Sequence, residues 1–320
     1  ALAGQGVKVV FALPRQLPHQ TGAVKLVFAG LDQFIRGPAA SPYPHGGVSF
    51  YGHNLLEEVR FYALQAGLVA QTENFDLIHA HDWLSFPAGL KARAVSGKPL
   101  LVHVHATEFD RTGGLNVNQT VYQIERQGMA EADGVIAVSN WTKNIITSRY
   151  GIDPEKIRVV HNGVASSGQT SGQKASGLWQ LKQTGNKIVL FVGRITLQKG
   201  PDYFVRVAKR VLEFMPNVYF LLVGAGDMLG QVMEEAARQR LGDRIIFTGF
   251  LRGQDLAEVY RLADLFLMPS VSEPFGLTPL EALQFGVPVL ISKQSGVGEV
   301  LRHALKADFW DIEEMGNKIV

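Results

Sequence analysis

The chain has 320 residues, of which 46% are hydrophobic and 19% charged, with a formal net charge of +2 and no cysteine. That length exceeds one typical domain and suits two, each with enough apolar material for a core. The small net charge, with no block of Lys or Arg, argues against nucleic acid as a partner; the lack of cysteine excludes disulfides, thiolate catalysis and Cys-ligated zinc. No run approaches about 18 uninterrupted apolar residues and the first residues lack a signal-peptide layout, so a cytoplasmic setting is expected.

Ala1 to Ala3 read as the tail of a helix, stopped by Gly4 and Gly6 ahead of a strand over Val7 to Leu13. With no initiator Met, the chain reads as a piece of a longer protein. Thr21 to Tyr51 alternates apolar runs with Gly and Pro, and an irregular or short-hairpin excursion is expected there. Asn54 to Thr72 carries apolar residues at helical spacing. Strand and helix then alternate: strand 75–79, helix 83–96, strand 99–104, helix 118–132, strand 134–138, helix 140–150 with Ser139 as its cap, and strand 157–160. Continuous apolar strands between amphipathic helices predict a parallel sheet covered on both faces, with ligands beyond the carboxyl ends of its strands.

Two histidine groups fall at those ends. In His79-Ala80-His81-Asp82-Trp83 the pair of histidines lacks a third well-spaced ligand, so a structural role is favoured over a metal. In His103-Val104-His105 both rings share one face, with His105 nearer the strand's end; a satisfied, half-buried histidine and a ligand contact both fit. Glu108, Asp110 and Arg111 follow, as acceptor-side groups or solvated ones. Asn162-Gly163 is turn chemistry and closes a first domain of residues 1–164, and residues 165–184 have linker composition.

A second alternating series, residues 185–320, opens with strand 187–192, whose end carries Arg194 and Lys199. Two cations placed there could clamp a diphosphate or stand as surface charges, and the order of a P-loop is not met. Strand 218–223 ends in Gly224-Ala225-Gly226, one residue off the dinucleotide fingerprint, so no nicotinamide cofactor is expected. Helix 201–214, strand 244–248, helix 253–262 and strands 265–268 and 287–291 complete the series, with Glu299 starting another helix. Between those last two strands lies Met268 to Pro288. Thr278 as N-cap, Pro279 at the first helical position and Glu281 three residues on form a capping box. The N–H groups of Gly276, Leu277 and Thr278 would face outward at the helix start, a seat for phosphate. Glu281 either caps this helix or meets a ligand, and Glu273 is either a solvated loop carboxylate or a functional one.

The spacing Glu273-Pro274-Phe275-Gly276-Leu277 with Glu281, an E-x7-E pattern, resembles the retaining glycosyltransferases of family 4, the group that includes glycogen and starch synthases. The resemblance implies the GT-B architecture: two doubly wound α/β domains facing across a cleft. It implies transfer of a sugar, possibly glucose as UDP- or ADP-glucose, from a nucleoside-diphosphate sugar to a glycan or other hydroxyl acceptor, without metal or other cofactor. Arg194 and Lys199 would hold the diphosphate with the amides of Gly276, Leu277 and Thr278. Phe250 and Leu251 would frame the base, Glu281 the ribose, while Glu273 and His105 would act on the donor sugar. Family members also carry a glycine-rich loop ahead of residue 1 and closing helices beyond residue 320. A sugar-nucleotide epimerase, a glycan phosphorylase and a nucleotide-sugar-binding fragment without turnover stand as alternatives, and peripheral membrane association stays open.

Overall fold

The computed structural model describes residues 5–14, 24–28, 55–165 and 176–320. The expected helix tail at Ala1 to Ala3, most of the excursion over Thr21 to Tyr51 and the middle of the linker lie outside these residues. The chain divides into two compact units. The first takes in residues 1–107, 118–137 and 143–159, and the second residues 108–117, 138–142 and 160–320.

In the first unit, β1 (Val10–Leu13) pairs with β2 (Lys25–Phe28) in parallel, with Val10 opposite Lys25. β2 covers the start of the stretch over Thr21 to Tyr51, and the second apolar run that a hairpin there would need lies outside the described residues. After α1 (Leu55–Thr72) come β3 (Ile78–His81), α2 (Phe86–Ser96), β4 (Leu100–Val104), the single turn α3 (Glu108–Arg111), α4 (Gln119–Glu131), β5 (Gly134–Ala137), α5 (Asn140–Tyr150) and β6 (Ile157–Val159). The strands β3, β4, β5 and β6 form one all-parallel sheet in that order. Ala80, Val102, Val104, Val135 and Ala137 are buried in it, as continuous apolar strands require. The helix expected from residue 83 starts at Phe86 because the chain first turns sharply. Asp82 adopts a left-handed φ of 58°, and the Ser85 hydroxyl donates to the His81 carbonyl at 2.7 Å. Leu55 and Val59 of α1, Trp83 and Val121 pack into one cluster.

The second unit runs α6 (Ser176–Gln183), β7 (Lys187–Val192), α7 (Pro201–Leu212), β8 (Val218–Val223), α8 (Leu229–Arg238), β9 (Ile245–Gly249), α9 (Gly253–Leu262), β10 (Leu265–Met268), α10 (Thr278–Gln284), β11 (Val289–Ser292), β12 (Leu305–Ala307) and α11 (Ile312–Ile319). Its six strands lie parallel in the order β12-β11-β10-β7-β8-β9. Alternation along β7 serves both faces: Val189 and Phe191 join one core cluster with Phe204 and Phe220, while Ile188 and Leu190 join another with Tyr260 and Phe266. Each fully buried large side chain of this kind contributes roughly 1.5–3 kcal/mol. Part of the expected linker is helical, since α6 is tied down by Lys182, whose Nζ lies 2.5 Å from Asp264 Oδ2. No helix begins at Glu299; a 3-10 turn over Gly296–Glu299 ends there instead.

Candidate functional site

In the second unit the strand order reverses between β7 and β10: β8 and β9 lie to one side of β7, and β10, β11 and β12 to the other. A crevice at the carboxyl ends of the strands is expected at such a reversal. The loops leaving β7 and β10 meet there, joined by the Val271 N–H donating to the Gln198 carbonyl at 2.9 Å. Between them Lys199 Nζ donates to Glu273 Oε2 at 2.5 Å, and Ser270 Oγ donates to the same oxygen at 3.2 Å. Glu273 is 4% exposed, so the sequence alternative of a solvated loop carboxylate is excluded. A buried carboxylate persists when paired and hydrogen-bonded, and this one is. Its backbone is fixed too, with the Glu273 N–H on the Gln294 carbonyl and the Gly296 N–H on the Glu273 carbonyl, both at 2.9 Å.

Gly276 has φ +99°, and a Cβ there would stand 3.1 Å from Cγ of Glu273 and 3.3 Å from the Met268 methyl. Glycine is therefore required both by backbone conformation and by closeness to the carboxylate. The capping box does not form. The N-cap is Leu277 rather than Thr278, with no side-chain cap bond, which places Pro279 at the second helical position. Thr278, one residue too late, cannot cap, and Glu281 turns elsewhere: Tyr260 Oη donates to Glu281 Oε2 at 2.9 Å. Burial and then the adjacent carboxylate push the Tyr260 phenol well above its usual range, so this hydroxyl stays a donor. Leu277 is exposed and Thr278 half-buried at this helix start.

Arg194 is exposed, and its Nη2 donates to Gln198 Oε1 at 3.2 Å. The Gly224-Ala225-Gly226 turn lies beneath this loop: Ile195 N–H donates to the Ala225 carbonyl, and Met228 N–H to the Ile195 carbonyl, both at 3.0 Å. A Cβ on Gly224 would stand 1.8 Å from the Gly193 oxygen, and one on Gly226 2.3 Å from the Ile195 oxygen. These glycines admit a neighbouring backbone. Phe250 follows β9 and is 63% exposed, with the Arg252 guanidinium 4.8 Å from its ring centre and Leu251 half-buried beside it.

Other polar residues of this unit have partners that the sequence does not reveal. Glu299 accepts from the backbone N–H of Asn140 (2.9 Å) and of Trp141 (2.8 Å), from Asn140 Nδ2 (2.9 Å), and pairs with His161 Nε2 (2.9 Å). Ser139 caps α5 as expected, accepting from the Thr142 N–H at 3.0 Å, and its hydroxyl also donates to the Pro274 carbonyl. Ser272 Oγ donates to Asp110 Oδ1 at 2.6 Å. Partners 100 or more positions apart leave no periodic signal in a sequence.

In the first unit His105 stands just beyond β4. The Asp82 carboxylate accepts from the N–H of His105 at 2.7 Å and of Ala106 at 3.3 Å, fixing the exit of the strand. The His105 ring is bonded to His81, Nε2 to Nδ1, at 2.9 Å. Register places His81 opposite His103, so four imidazoles gather, with ring centres of successive neighbours 4.1–5.4 Å apart. Burial first, then mutual repulsion, hold His81 at about 4 and His103 at about 3, so both are neutral near pH 7. The third ligand that the chain spacing of His79 and His81 did not provide is supplied by the sheet: ring nitrogens of His79, His81 and His103 lie within 4.8 Å of one another.

Two parallel α/β sheets of this kind, one in each unit, are the arrangement of the GT-B class. Residues 1–167 match the family described as Glycosyltransferase Family 4, and residues 179–311 that described as Glycosyl transferases group 1. The chain belongs to glycosyltransferase family 4. It is 30% identical over 242 residues to a protein of Methanocaldococcus jannaschii named an uncharacterized glycosyltransferase, covering 72% of this chain and 61% of that one. It is 33% identical over 251 residues to D-inositol 3-phosphate glycosyltransferase of Mycobacteroides abscessus, covering 73% of this chain and 54% of that one. The chain thus spans between half and two thirds of the length of these relatives. Among solved structures, sucrose-phosphate synthase from Thermosynechococcus elongatus superposes with a TM-score of 0.78 at 21% identity, covering 99% and 80% of the two chains. HepE from Anabaena, solved with UDP-glucose, gives 0.66 at 23% identity, covering 80% and 71%. No helix among the described residues is long and apolar enough to cross a membrane.

Proposed function

We propose that this chain supplies the donor-binding and catalytic residues of a retaining glycosyltransferase, moving a sugar from a nucleoside-diphosphate sugar to a hydroxyl acceptor. The observation that carries the reading is the buried Glu273 held by Lys199 at the β7/β10 reversal, with Arg194 on the same loop as Lys199. The departing group is a diphosphate, and its growing negative charge falls on cations already in place, which lowers the barrier. Arg194 and Lys199 carry most of this charge stabilisation, since α10 spans only seven residues and its dipole is small. The amides of Gly276, Leu277 and Thr278 add to it, and no metal is needed for that role.

In this reading Lys199 leaves Glu273 for the diphosphate, which frees the carboxylate to take hydrogen bonds from the donor sugar and to stabilise its cationic transition state. Glu281, oriented by Tyr260, takes the ribose hydroxyls, and Phe250 with Leu251 frames the base. His105 is proposed as a second catalytic residue on the strength of the family resemblance. Attack by the acceptor from the face that the diphosphate leaves gives retention without a covalent enzyme intermediate. UDP-glucose in HepE makes a UDP-sugar the first donor to try, and a glycan is the acceptor class we favour, in a cytoplasmic setting.

The test is a thermal-shift titration with UDP, ADP, GDP and their glucose conjugates. A ligand at about a hundred times its Kd stabilises the fold by about 2.7 kcal/mol. One nucleotide series is expected to raise Tm, and Arg194→Ala to abolish the rise. A sugar nucleotide that binds and is converted without any acceptor sinks transfer in favour of epimerisation, and the absence of any shift sinks the donor site in this chain.

A further inference from the structure

We propose that His79, His81 and His103 form a binding site for a divalent transition-metal ion in the first unit. H-x-H at the end of β3 and H-x-H at the end of β4 run in parallel with His81 opposite His103, so every histidine projects from the same face of the sheet while Ala80, Val102 and Val104 are buried on the other. His79 and His81 from β3 and His103 from β4 thus reach one spot from strand positions alone, without the help of any loop.

Three ring nitrogens within 4.8 Å of one another are near enough for side-chain rotation to bring them to the separation of about 3.4 Å that bonds of about 2.0–2.1 Å require around a tetrahedral zinc, and nickel, cobalt and copper take the same ligands. The ligand set is nitrogen only, which disfavours magnesium and calcium. Two further observations bear on a ligand here. Both ring nitrogens of His103 are buried without a hydrogen-bond partner, although a buried polar group ordinarily has one. His81 keeps one nitrogen, Nδ1, on His105 Nε2, which leaves Nε2 for an ion and gives the outer hydrogen bond that metal-binding histidines usually make. Packing alone accounts for stacked rings; it leaves the two nitrogens of His103 unsatisfied. A bound ion satisfies one of them and clamps β3 to β4. Through His81 it also fixes the ring of His105. The site stands whether or not the chain transfers sugar.

The experiment uses untagged, chelator-stripped protein mixed with one equivalent of Zn2+, passed through gel filtration and analysed for metal content, with Co2+ absorption spectroscopy in parallel. One zinc ion per chain is expected, together with visible cobalt bands typical of nitrogen ligation. His79→Ala and His103→Ala are each expected to weaken zinc by at least about tenfold, in line with the sensitivity of metal sites to their ligand shells. His79 and His81 are exposed, so His79→Ala/His81→Ala decides the matter if His103→Ala does not fold. Stripped protein that retains no zinc overturns the proposal, and so does a double variant that binds zinc as tightly as the parent.

Discussion

Lys199 Nζ lies 2.5 Å from Glu273 Oε2, and the carboxylate is nearly closed off from solvent while the lysine side chain keeps 21% of its exposure. Removing one partner of a fully buried pair costs about 3–5 kcal/mol, because the other charge is stranded. Solvent at Lys199 softens this, and Lys199→Met is expected to lower stability in urea by about 2–3 kcal/mol. Adding Glu273→Gln to that variant should recover much of the loss, since no buried charge remains. A double variant no more stable than Lys199→Met would mean that the two groups are not coupled.

Glu273→Gln on its own is expected to lower turnover by about a hundredfold, roughly 3 kcal/mol of transition-state stabilisation, once the titration has identified a donor. The amide keeps the shape and loses the charge that answers a cationic sugar. Steady-state rates on the identified donor decide this, and unchanged turnover removes Glu273 from the site.

Phe250 offers a cleaner separation of binding from folding. Its ring is 63% exposed and touches the Arg252 guanidinium, so Phe250→Ala should leave Tm nearly unmoved. If the ring stacks on a nucleobase, the substitution weakens nucleotide binding by about 1–3 kcal/mol. Calorimetric titration reads the affinity, and a Kd equal to that of the parent takes Phe250 out of the base site.

Glu299 sets a pH dependence. Burial pushes its carboxyl up, but the N–H of Asn140, the His161 ring, the N–H of Trp141 and the Asn140 amide together outweigh burial and hold it below the ordinary value of 4.5. A carboxyl lowered in the folded state adds stability above its unfolded pKa and loses it as pH falls through the folded value. Glu299→Gln should therefore be less stable than the parent at pH 7, by about 1 kcal/mol on the scale of a helix cap. The gap should narrow below pH 4.5. Melting curves at pH 7 and pH 3.5 test this, and a gap that stays constant or widens in acid counts against the carboxylate.

The alternation of strand and helix was legible because buried parallel strands are apolar throughout and their helices have one apolar stripe; β7, β8 and β10 fall where the pattern puts them. Strand ends alone place Lys199, Glu273 and Gly276 but leave the two charged groups open as solvated ones; they stand out through the E-x7-E spacing and the family that it resembles. Two errors share one cause. The capping box is read from residues three apart and the helix at Glu299 from the turn just before it, whereas Glu281 is held by Tyr260 on another helix and Glu299 by Asn140, Trp141 and His161. The histidine cluster was hidden for a different reason. Its geometry depends on the register of β3 against β4, and a parallel register has no signature in a sequence. Short β12 and α6, in a stretch of linker-like composition, lacked the length that makes periodicity visible.

Gly224 and Gly226 bear on how a saturation-mutagenesis map of this chain would read. Any side chain at either position runs into the backbone of Gly193 or Ile195, the residues that flank Arg194. Activity scores alone would therefore paint these glycines as dark as Glu273, and a near-fingerprint around them invites the label of a nucleotide contact. Protein abundance scored in the same library tells the two apart: variants at Gly224 and Gly226 should vanish from the cell, whereas Glu273→Gln should persist as an inert but folded chain.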